Sequence, residues 1–305
     1  MCGIAGYFEK TGDGQQQVGK VILSMLSALA CRGPDSAGVA LYGANGAGQI
    51  VVRVKLGGDG EFEKKADQIV KKTEARYRLQ GVSTSSEYLR LVLSPGPDPG
   101  ELLETIEAAG AAGAGSEVVS MGHRLEIIKQ VGSPRDLERA YDVAEFRGAH
   151  GIGHTRLSTE SRVDLSHSQP FWALGHPDLA IVHNGHITNY HKLRRQYRQR
   201  GVRFRTENDS EIIAVYLGER LSEGLSLEAA LLASQRDFDG SYSYLAATAD
   251  ALAYAKDPFA LKPLLITETE AFVAIATEEI ALRSTFQGDY TVRETQAKEV
   301  RVWQR

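Results

Sequence analysis

The sequence predicts an α+β fold built from antiparallel sheets and separate layers of helices. Predicted strands cluster at both ends of the 305-residue chain, and helices lie between them. A regular alternation of strands and helices would instead predict a parallel sheet. The composition also changes between about residues 55 and 147. We therefore expect one domain over 1–305 that is interrupted at about 55–147 by an inserted α+β subdomain.

The first part of the chain predicts a strand, a helix and a hairpin. Cys2–Phe8 is a short apolar run that ends in polar residues, as a buried strand does. Val18–Cys31 has apolar residues at helical spacing and stops at a turn of glycine and proline. Val39–Tyr42 and Gln49–Val54 have the pattern of strands, and the glycine-rich GANGAG between them predicts that they pair as a hairpin.

The two later regions also divide into predicted helices and strands. In the insertion, we expect helices over 61–77, 101–109 and 134–146, and strands over 87–93, 118–121 and 124–128. In the second half, we expect strands over 151–157, 179–183, 243–247, 251–256, 264–267 and 271–276, and helices over 188–200, 210–223 and 226–236.

Composition argues against several classes of protein. The formal net charge is −4 at pH 7, so no basic field favours nucleic acid. Two cysteines do not make a disulfide framework, which indicates a reducing compartment. The most apolar stretches fall short of the ~20 residues that span a bilayer, and no secretory leader precedes Cys2. We expect a soluble cytoplasmic protein that binds neither nucleic acid nor membranes.

Cys2 is a candidate nucleophile because it directly follows the initiator methionine. Removal of Met1 would leave a thiol and a free α-amine on one residue, with ordinary pKa values of about 8.5 and 8. Near pH 7 a share of the amine is neutral and takes the thiol proton, so the sulfur needs no separate histidine. On position alone, an incidental small residue at a frayed chain end is an equal alternative.

Eight motifs in order resemble those of one enzyme family. They are MCGIAG (1–6), RGPDS (32–36), GHTR (153–156), SQPF (168–171), HNGHITN (183–189), TENDSE (206–211), DGSYS (239–243) and DPFALKPL (257–264). The chain resembles the class II glutamine amidotransferases, which are N-terminal-nucleophile hydrolases that release ammonia from glutamine. It is most similar to stand-alone amidotransferase subunits related to the N-terminal domain of glutamate synthase, including the N-methylglutamate synthase type. The resemblance implies a four-layer αββα sandwich of antiparallel sheets.

The resemblance also implies a glutaminase that hydrolyses L-glutamine to glutamate and ammonia through a γ-glutamyl thioester on Cys2. Attack on the amide makes a tetrahedral oxyanion, which needs two hydrogen-bond donors. In the family, an Asn-Gly pair fills this role, which here assigns it to the side-chain amide of Asn184 and the backbone N–H of Gly185. Without the other motifs, the same pair would predict a plain hairpin turn.

Two charged residues are expected to bind zwitterionic glutamine. The resemblance assigns the α-carboxylate to Arg156, since an arginine binds a carboxylate in a bidentate manner. It assigns the α-ammonium to Asp209. The alternatives are a surface arginine and a helix N-cap. Arg32 is expected to support the N-terminal residue, with a purely structural turn as the alternative.

Neither a cofactor nor a metal is expected. His154, His183 and His186 invite a metal interpretation, but their spacing follows no zinc motif and no cysteine pair accompanies them. The basic run RRQYRQR (194–200) predicts a solvated helix face rather than a docking patch.

A partner subunit is expected because free ammonia at neutral pH is mostly ammonium, a poor nucleophile. The resemblance implies an ammonia-accepting synthase subunit similar to glutamate synthase, with the insertion as a candidate docking region. The alternative is a catalytically silent subunit that binds glutamine for regulation. Two residues depart from the family pattern, namely Leu157 beside the glutamine loop and Ala260 in DPFALKPL.

Overall fold

The computed structural model describes residues 2–43, 48–57, 60–94, 98–110, 116–157 and 164–305. The strands are β1 Gly3–Glu9, β2 Ser36–Gly43, β3 Ile50–Lys55, β4 Leu79–Ser85, β5 Tyr88–Leu93, β6 Glu117–Gly122, β7 Leu125–Val131, β8 Gly148–Arg156, β9 Phe171–Trp172, β10 Ala180–Ile187, β11 Gly240–Ala247, β12 Ala251–Lys256, β13 Leu265–Glu268, β14 Phe272–Ala276, β15 Arg293–Glu294 and β16 Val300–Gln304. The helices are α1 Val18–Ala28, α2 Phe62–Glu74, α3 Pro99–Gly110, α4 Pro134–Tyr141, α5 Tyr190–Gln199, α6 Asp209–Ser222, α7 Leu227–Asp237 and α8 Glu279–Thr285.

Two antiparallel sheets form the centre of the molecule. One has seven strands in the order β15-β13-β14-β1-β8-β2-β7, and the other has five in the order β16-β12-β11-β10-β9. The first strand of the chain is therefore the middle strand of the larger sheet, between β14 and β8. The antiparallel pairing agrees with the predicted α+β class.

Alternation along the strands creates the four layers. In β1, Ala5 and Tyr7 face one core, which also contains the apolar sides of α1 and α8. Ile4 and Phe8 of the same strand face the opposite core, which is shared with the five-stranded sheet through residues such as Val182. Successive side chains of a strand point to opposite faces, so one strand supplies two cores.

The second sheet carries the outer helical layer on its other face. Ile181 of β10 and Tyr244 of β11 pack in a third core with apolar residues of α6 and α7, such as Ile213 and Leu231. The order of layers is thus helices, seven-stranded sheet, five-stranded sheet, helices. Of the helices within the described segments, none is long and apolar enough to cross a membrane.

The insertion contains a third sheet, and the predicted hairpin before it is wrong. The four strands have the order β4-β5-β3-β6. β2 pairs with β7 and β8 in the large sheet, whereas β3 pairs with β5 and β6, so the two strands are not hairpin partners. Residues 44–47 of the predicted turn lie outside the described residues. The local sequence pattern predicts that both segments are strands, but it does not show which strand each one pairs with.

The separate sheet and its helices occupy a different span from the predicted 55–147. The sheet begins with β3, and α2 and α3 pack together. β7 and α4 fall inside the predicted span, yet β7 pairs with β2 in the large sheet and α4 packs on β7. The apolar residues of β3 belong to the same continuous core as those of β1 and β10.

The loop after β12 holds Ala260 in an unfavourable backbone conformation. Its φ is +54°, in the left-handed region. The carboxylate of buried Asp257 accepts hydrogen bonds from the N–H groups of Phe259 and Ala260 at 2.7 and 3.0 Å, which fixes the turn. Such a conformation costs a residue with a Cβ roughly 1–2 kcal/mol. This is the alanine that departs from the family pattern.

Ala260→Gly is expected to raise the free energy of unfolding by about 1 kcal/mol, because glycine removes the left-handed cost but gains entropy in the unfolded chain. Calorimetric or circular dichroism melting measures the change. Ala229→Gly in α7 is the matched control and should lower the free energy of unfolding by about 1 kcal/mol. If both variants lowered the free energy of unfolding by the same amount, Ala260 would not be strained in the parent protein.

Candidate active site

Cys2 lies at the start of the middle strand, and its backbone is held by two other predicted site residues. Its carbonyl accepts a hydrogen bond from Asn184 Nδ2 at 2.9 Å and another from Arg32 Nε at 3.1 Å. The half-buried thiol lies 3.7 Å from the carbonyl oxygen of Leu157. The departure at Leu157 therefore leaves this backbone contact in place. Three of the predicted site residues are thus in direct contact.

The residues after Cys2 fix where the thiol stands. A Cβ at Gly3 would come within 2.8 Å of Thr155 Oγ1 and 2.9 Å of Leu29 Cβ. β1 can therefore lie this close to Thr155 and Leu29 only because residue 3 has no side chain. Ile4 donates its N–H to Thr277 Oγ1 at 2.8 Å, and Thr277 returns its own N–H to the Ile4 carbonyl. The backbone that follows Cys2 is therefore fixed at Gly3 and Ile4, which limits where the thiol can lie.

Asn184 and Gly185 lie inside β10, which contradicts the hairpin-turn alternative. They pair with Ser243 and Tyr242 of β11. Gly185 has a φ of +132°, and a Cβ there would come within 2.1 Å of the Ser241 carbonyl oxygen. A side-chain amide carries two hydrogens, and the bond from Asn184 to Cys2 uses one of them.

Arg156 is the last residue of β8, and only 5% of its surface is exposed. A solvated surface arginine is therefore excluded. Burial lowers the pKa of its guanidinium, while Cys2, Asp164 and Asp35 act in the opposite direction. A buried cation close to the thiol suits an anionic ligand. Residues 158–163, which follow Leu157, lie outside the described residues.

Asp209 is the first residue of α6 but does not cap it. The cap is Asn208, whose side chain accepts the Ser210 N–H at 3.0 Å. Asp209 instead accepts the N–H of Ile187, in the strand that carries Asn184, at 2.9 Å. Its other carboxylate oxygen lies 3.8 Å from His183 Nδ1. No direct contact joins Asp209 to Cys2 in the described bonds, and β10 connects them.

Arg32 contacts two segments that are far apart in the chain. It donates to the Cys2 carbonyl and also forms an ion pair with Glu278, which directly precedes α8. Glu278 was missed from the sequence, because an isolated glutamate before a short helix has no distinctive pattern. The pair links the start of the middle strand to the segment that follows its neighbour β14.

The buried histidines lie near the site but are not arranged as metal ligands. Burial lowers the pKa of His154 to about 3, and it lowers the pKa of His183 as well. Both rings are therefore neutral at pH 7. Across the described ranges, no group of three or more His, Cys, Asp or Glu side chains is placed to hold a metal ion.

The fold and the site together define a class of protein. A four-layer αββα sandwich that places Cys2 at the start of its middle strand is the architecture of the class II, N-terminal-nucleophile glutamine amidotransferases. Comparison with known proteins supports this class. The family model described as a glutamine amidotransferase domain matches residues 154–284.

Two relatives and a solved structure agree with the family model. A protein of Methanothermobacter thermautotrophicus whose name assigns it to the glutamine amidotransferases is 36% identical over 310 residues, covering 100% of both chains. The glutamine amidotransferase-like protein GlxB of Rhizobium meliloti is 34% identical and covers 92% of this chain and 91% of its own. The glutamine phosphoribosylpyrophosphate amidotransferase of B. subtilis shares the fold with a TM-score of 0.64, at 19% identity. It aligns with 99% of this chain, which spans 47% of that longer chain. The protein belongs to the glutamine amidotransferase family.

Proposed function

We propose that the protein is a glutaminase subunit that hydrolyses L-glutamine to glutamate and ammonia through Cys2, and supplies the ammonia to a separate synthase subunit. The observation that carries the proposal is the double hydrogen bond to the Cys2 carbonyl. It brings the predicted nucleophile, the predicted oxyanion donor Asn184 and the supporting Arg32 into contact.

The proposed reaction starts from mature Cys2 after removal of Met1. The neutral α-amine takes the thiol proton, and the thiolate attacks the side-chain amide carbon of glutamine. The second hydrogen of the Asn184 amide and the N–H of Gly185 stabilise the oxyanion. The intermediate collapses as the C–N bond breaks, and the α-ammonium returns its proton to the leaving nitrogen, which departs as ammonia. Water then attacks the thioester, releasing glutamate and regenerating the thiol.

The proposed binding of glutamine uses the buried Arg156 and the partly buried Asp209. Arg156 pairs with the α-carboxylate. The fold already buries the guanidinium, so binding of the carboxylate requires little further dehydration of the arginine. Asp209 accepts from the α-ammonium, with one carboxylate oxygen fixed by Ile187. A ligand that carries both an α-carboxylate and an α-ammonium can use both residues, which favours a free amino acid.

The proposed transfer to a synthase subunit rests on the chemistry of ammonia, which is mostly ammonium at neutral pH and therefore a poor nucleophile. An acceptor that takes ammonia directly from the Cys2 site would receive it before it is protonated in solvent.

A free amine on Cys2 can be tested with an N-terminal fusion that a protease removes to leave Cys2 as the first residue. The uncleaved fusion is expected to release glutamate at least about 100-fold more slowly, because an amide nitrogen cannot act as a base. Cleavage should restore the activity, with intact mass showing Cys2 at the N-terminus. The same tag at the C-terminus is the control. Full activity of the uncleaved fusion would contradict the amine's role, and a cleaved chain without activity would favour a silent glutamine-binding subunit.

A further inference from the structure

We propose that Gln169, Ser210 and His183 form a ring of hydrogen bonds that positions the oxyanion donor relative to the ligand of the glutamine ammonium group. The inference rests on the proposed function, because it takes Asn184 and Asp209 in the roles given above. Gln169 and Ser210 are positioning residues, since neither is placed to touch the reacting atoms.

The carboxamide of Gln169 forms the first part of the ring. Its Oε1 accepts the backbone N–H of His183 at 2.5 Å, and its Nε2 donates to the carbonyl of His183 at 3.0 Å. The same Nε2 lies 3.2 Å from Ser210 Oγ and donates to it. Gln169 is only 5% exposed, so water does not replace these bonds. One side chain thus holds a residue of β10 through both of its backbone groups.

Ser210 closes the ring from the helix side. Its hydroxyl oxygen lies 2.9 Å from His183 Nδ1. Ser210 and His183 are 1% and 2% exposed. The hydroxyl accepts from Gln169 and hydrogen-bonds the imidazole, so it connects the two other members of the ring. Burial keeps His183 neutral by lowering its pKa, and a neutral imidazole can share one hydrogen bond with the hydroxyl in either tautomer.

The position of the ring explains what it holds. His183 precedes Asn184 in β10, and Ser210 follows Asp209 in α6. Both candidate functional residues are therefore one peptide unit from the ring. A displacement of α6 along β10 would move the Asp209 carboxylate relative to the Asn184 amide, and it would have to break several buried hydrogen bonds. Gln169 belongs to SQPF, so the ring joins three of the motifs that were separate in the sequence.

The ring should matter for rate and for binding. A misplacement of about 1 Å between a substrate and the groups that act on it costs about 100-fold in rate. Loss of the Ser210 hydroxyl leaves the Gln169 amide and the imidazole without a shared partner. We expect kcat/KM for glutamine to fall about 10- to 100-fold in Ser210→Ala.

The chain offers a matched control in Ser234. Its buried hydroxyl donates to the Leu231 carbonyl at 2.7 Å and bonds the Tyr244 hydroxyl, within the third core. Ser234→Ala removes a buried helical hydroxyl of the same kind, so its melting temperature should fall by a similar amount. Its kcat/KM should stay within about 2-fold of the parent. Ser210→Thr, which keeps the hydroxyl, should recover most of the activity lost in Ser210→Ala.

Two measurements separate failure of the ring from failure of the proposed function. Calorimetry of glutamine binding to the Cys2→Ala chain does not need turnover, and adding Ser210→Ala should weaken that binding about 10-fold while adding Ser234→Ala should not. Gln169→Leu should likewise lose kcat/KM in the active chain, while iodoacetamide alkylates Cys2 at the parent rate.

The outcomes are distinct. If the parent chain binds glutamine but does not turn it over, the proposed hydrolysis is wrong, and the binding measurement still decides on the ring. Equal effects of Ser210→Ala and Ser234→Ala on kcat/KM or on binding would overturn the ring. Slower alkylation of Cys2 in Gln169→Leu would also overturn the ring, because the substitution would then disturb the site beyond Asn184 and Asp209.

Discussion

Glutamine hydrolysis is expected to fall at least about 1000-fold when Cys2 is replaced by alanine. No other group near Asn184 and Gly185 in the described bonds could form the thioester, and loss of a covalent nucleophile typically removes several orders of magnitude of rate. Glutamate release at saturating glutamine measures the loss directly. Binding of glutamine should persist, since Arg156 and Asp209 are unchanged, and calorimetry on the same variant would show it.

The second cysteine provides the control for this prediction. Cys31 is exposed in a short 3₁₀ turn and is the only other cysteine of the chain. Cys31→Ala should leave kcat and KM within about 2-fold of the parent, as expected for a surface substitution. If Cys2→Ala retained activity, or if Cys31→Ala lost as much as Cys2→Ala, the assignment of Cys2 as nucleophile would be wrong.

The second large effect is expected at Arg156. Replacing it with alanine should lower kcat/KM for glutamine by about 100-fold, chiefly through KM, because the bound α-carboxylate would be buried without a counter-charge. Iodoacetamide carries no carboxylate, so its reaction with Cys2 should fall much less than kcat/KM for glutamine does. Initial rates over a wide range of glutamine concentrations separate the two kinetic constants.

Arg53 is the matched control for Arg156. It is a largely buried arginine in β3, paired with Glu126 at 2.7 Å, and Glu126 is also bound by Arg90. Arg53→Ala therefore removes a buried arginine from the inserted sheet without leaving the acid unpaired. We expect lower thermal stability with an unchanged KM for glutamine. An unchanged KM in Arg156→Ala would instead show that another group binds the carboxylate.

Local patterns predicted most of the elements correctly, since apolar periodicity is a property of each segment. The amphipathic pattern of α1 and the apolar runs of β1 and β10 appear in the structure within a few residues of the expected bounds. The pairing of strands was harder to predict, because it depends on residues that are far away in the chain. This is why β2 and β3 were wrongly joined as a hairpin, and why the exposed β4 was missed.

In the candidate site too, local motifs identified residues, whereas their contacts with distant residues could not be predicted. Cys2, Asn184, Gly185, Arg156 and Asp209 could be named from motifs, and their functional roles remain predictions. Gln169 and Glu278 could not be named as partners, since the contacts of Gln169 with His183 and of Glu278 with Arg32 join residues of different elements that no local pattern relates. Only the folded chain brings such pairs together.

The central place of β1 has a consequence for the timing of biosynthesis. Its two neighbours in the sheet, β8 and β14, are made much later than β1 itself. At about 5–20 residues per second, β14 leaves the ribosome tens of seconds after the N-terminus. Until β8 is made, β1 has neither of its partner strands, so a processing enzyme can reach the N-terminus of the nascent chain. After folding, Cys2 is bonded through its carbonyl and its strand is enclosed on both sides. We therefore expect removal of Met1 to begin during translation, before the partner strands are made, and to be slower on a chain that has already folded.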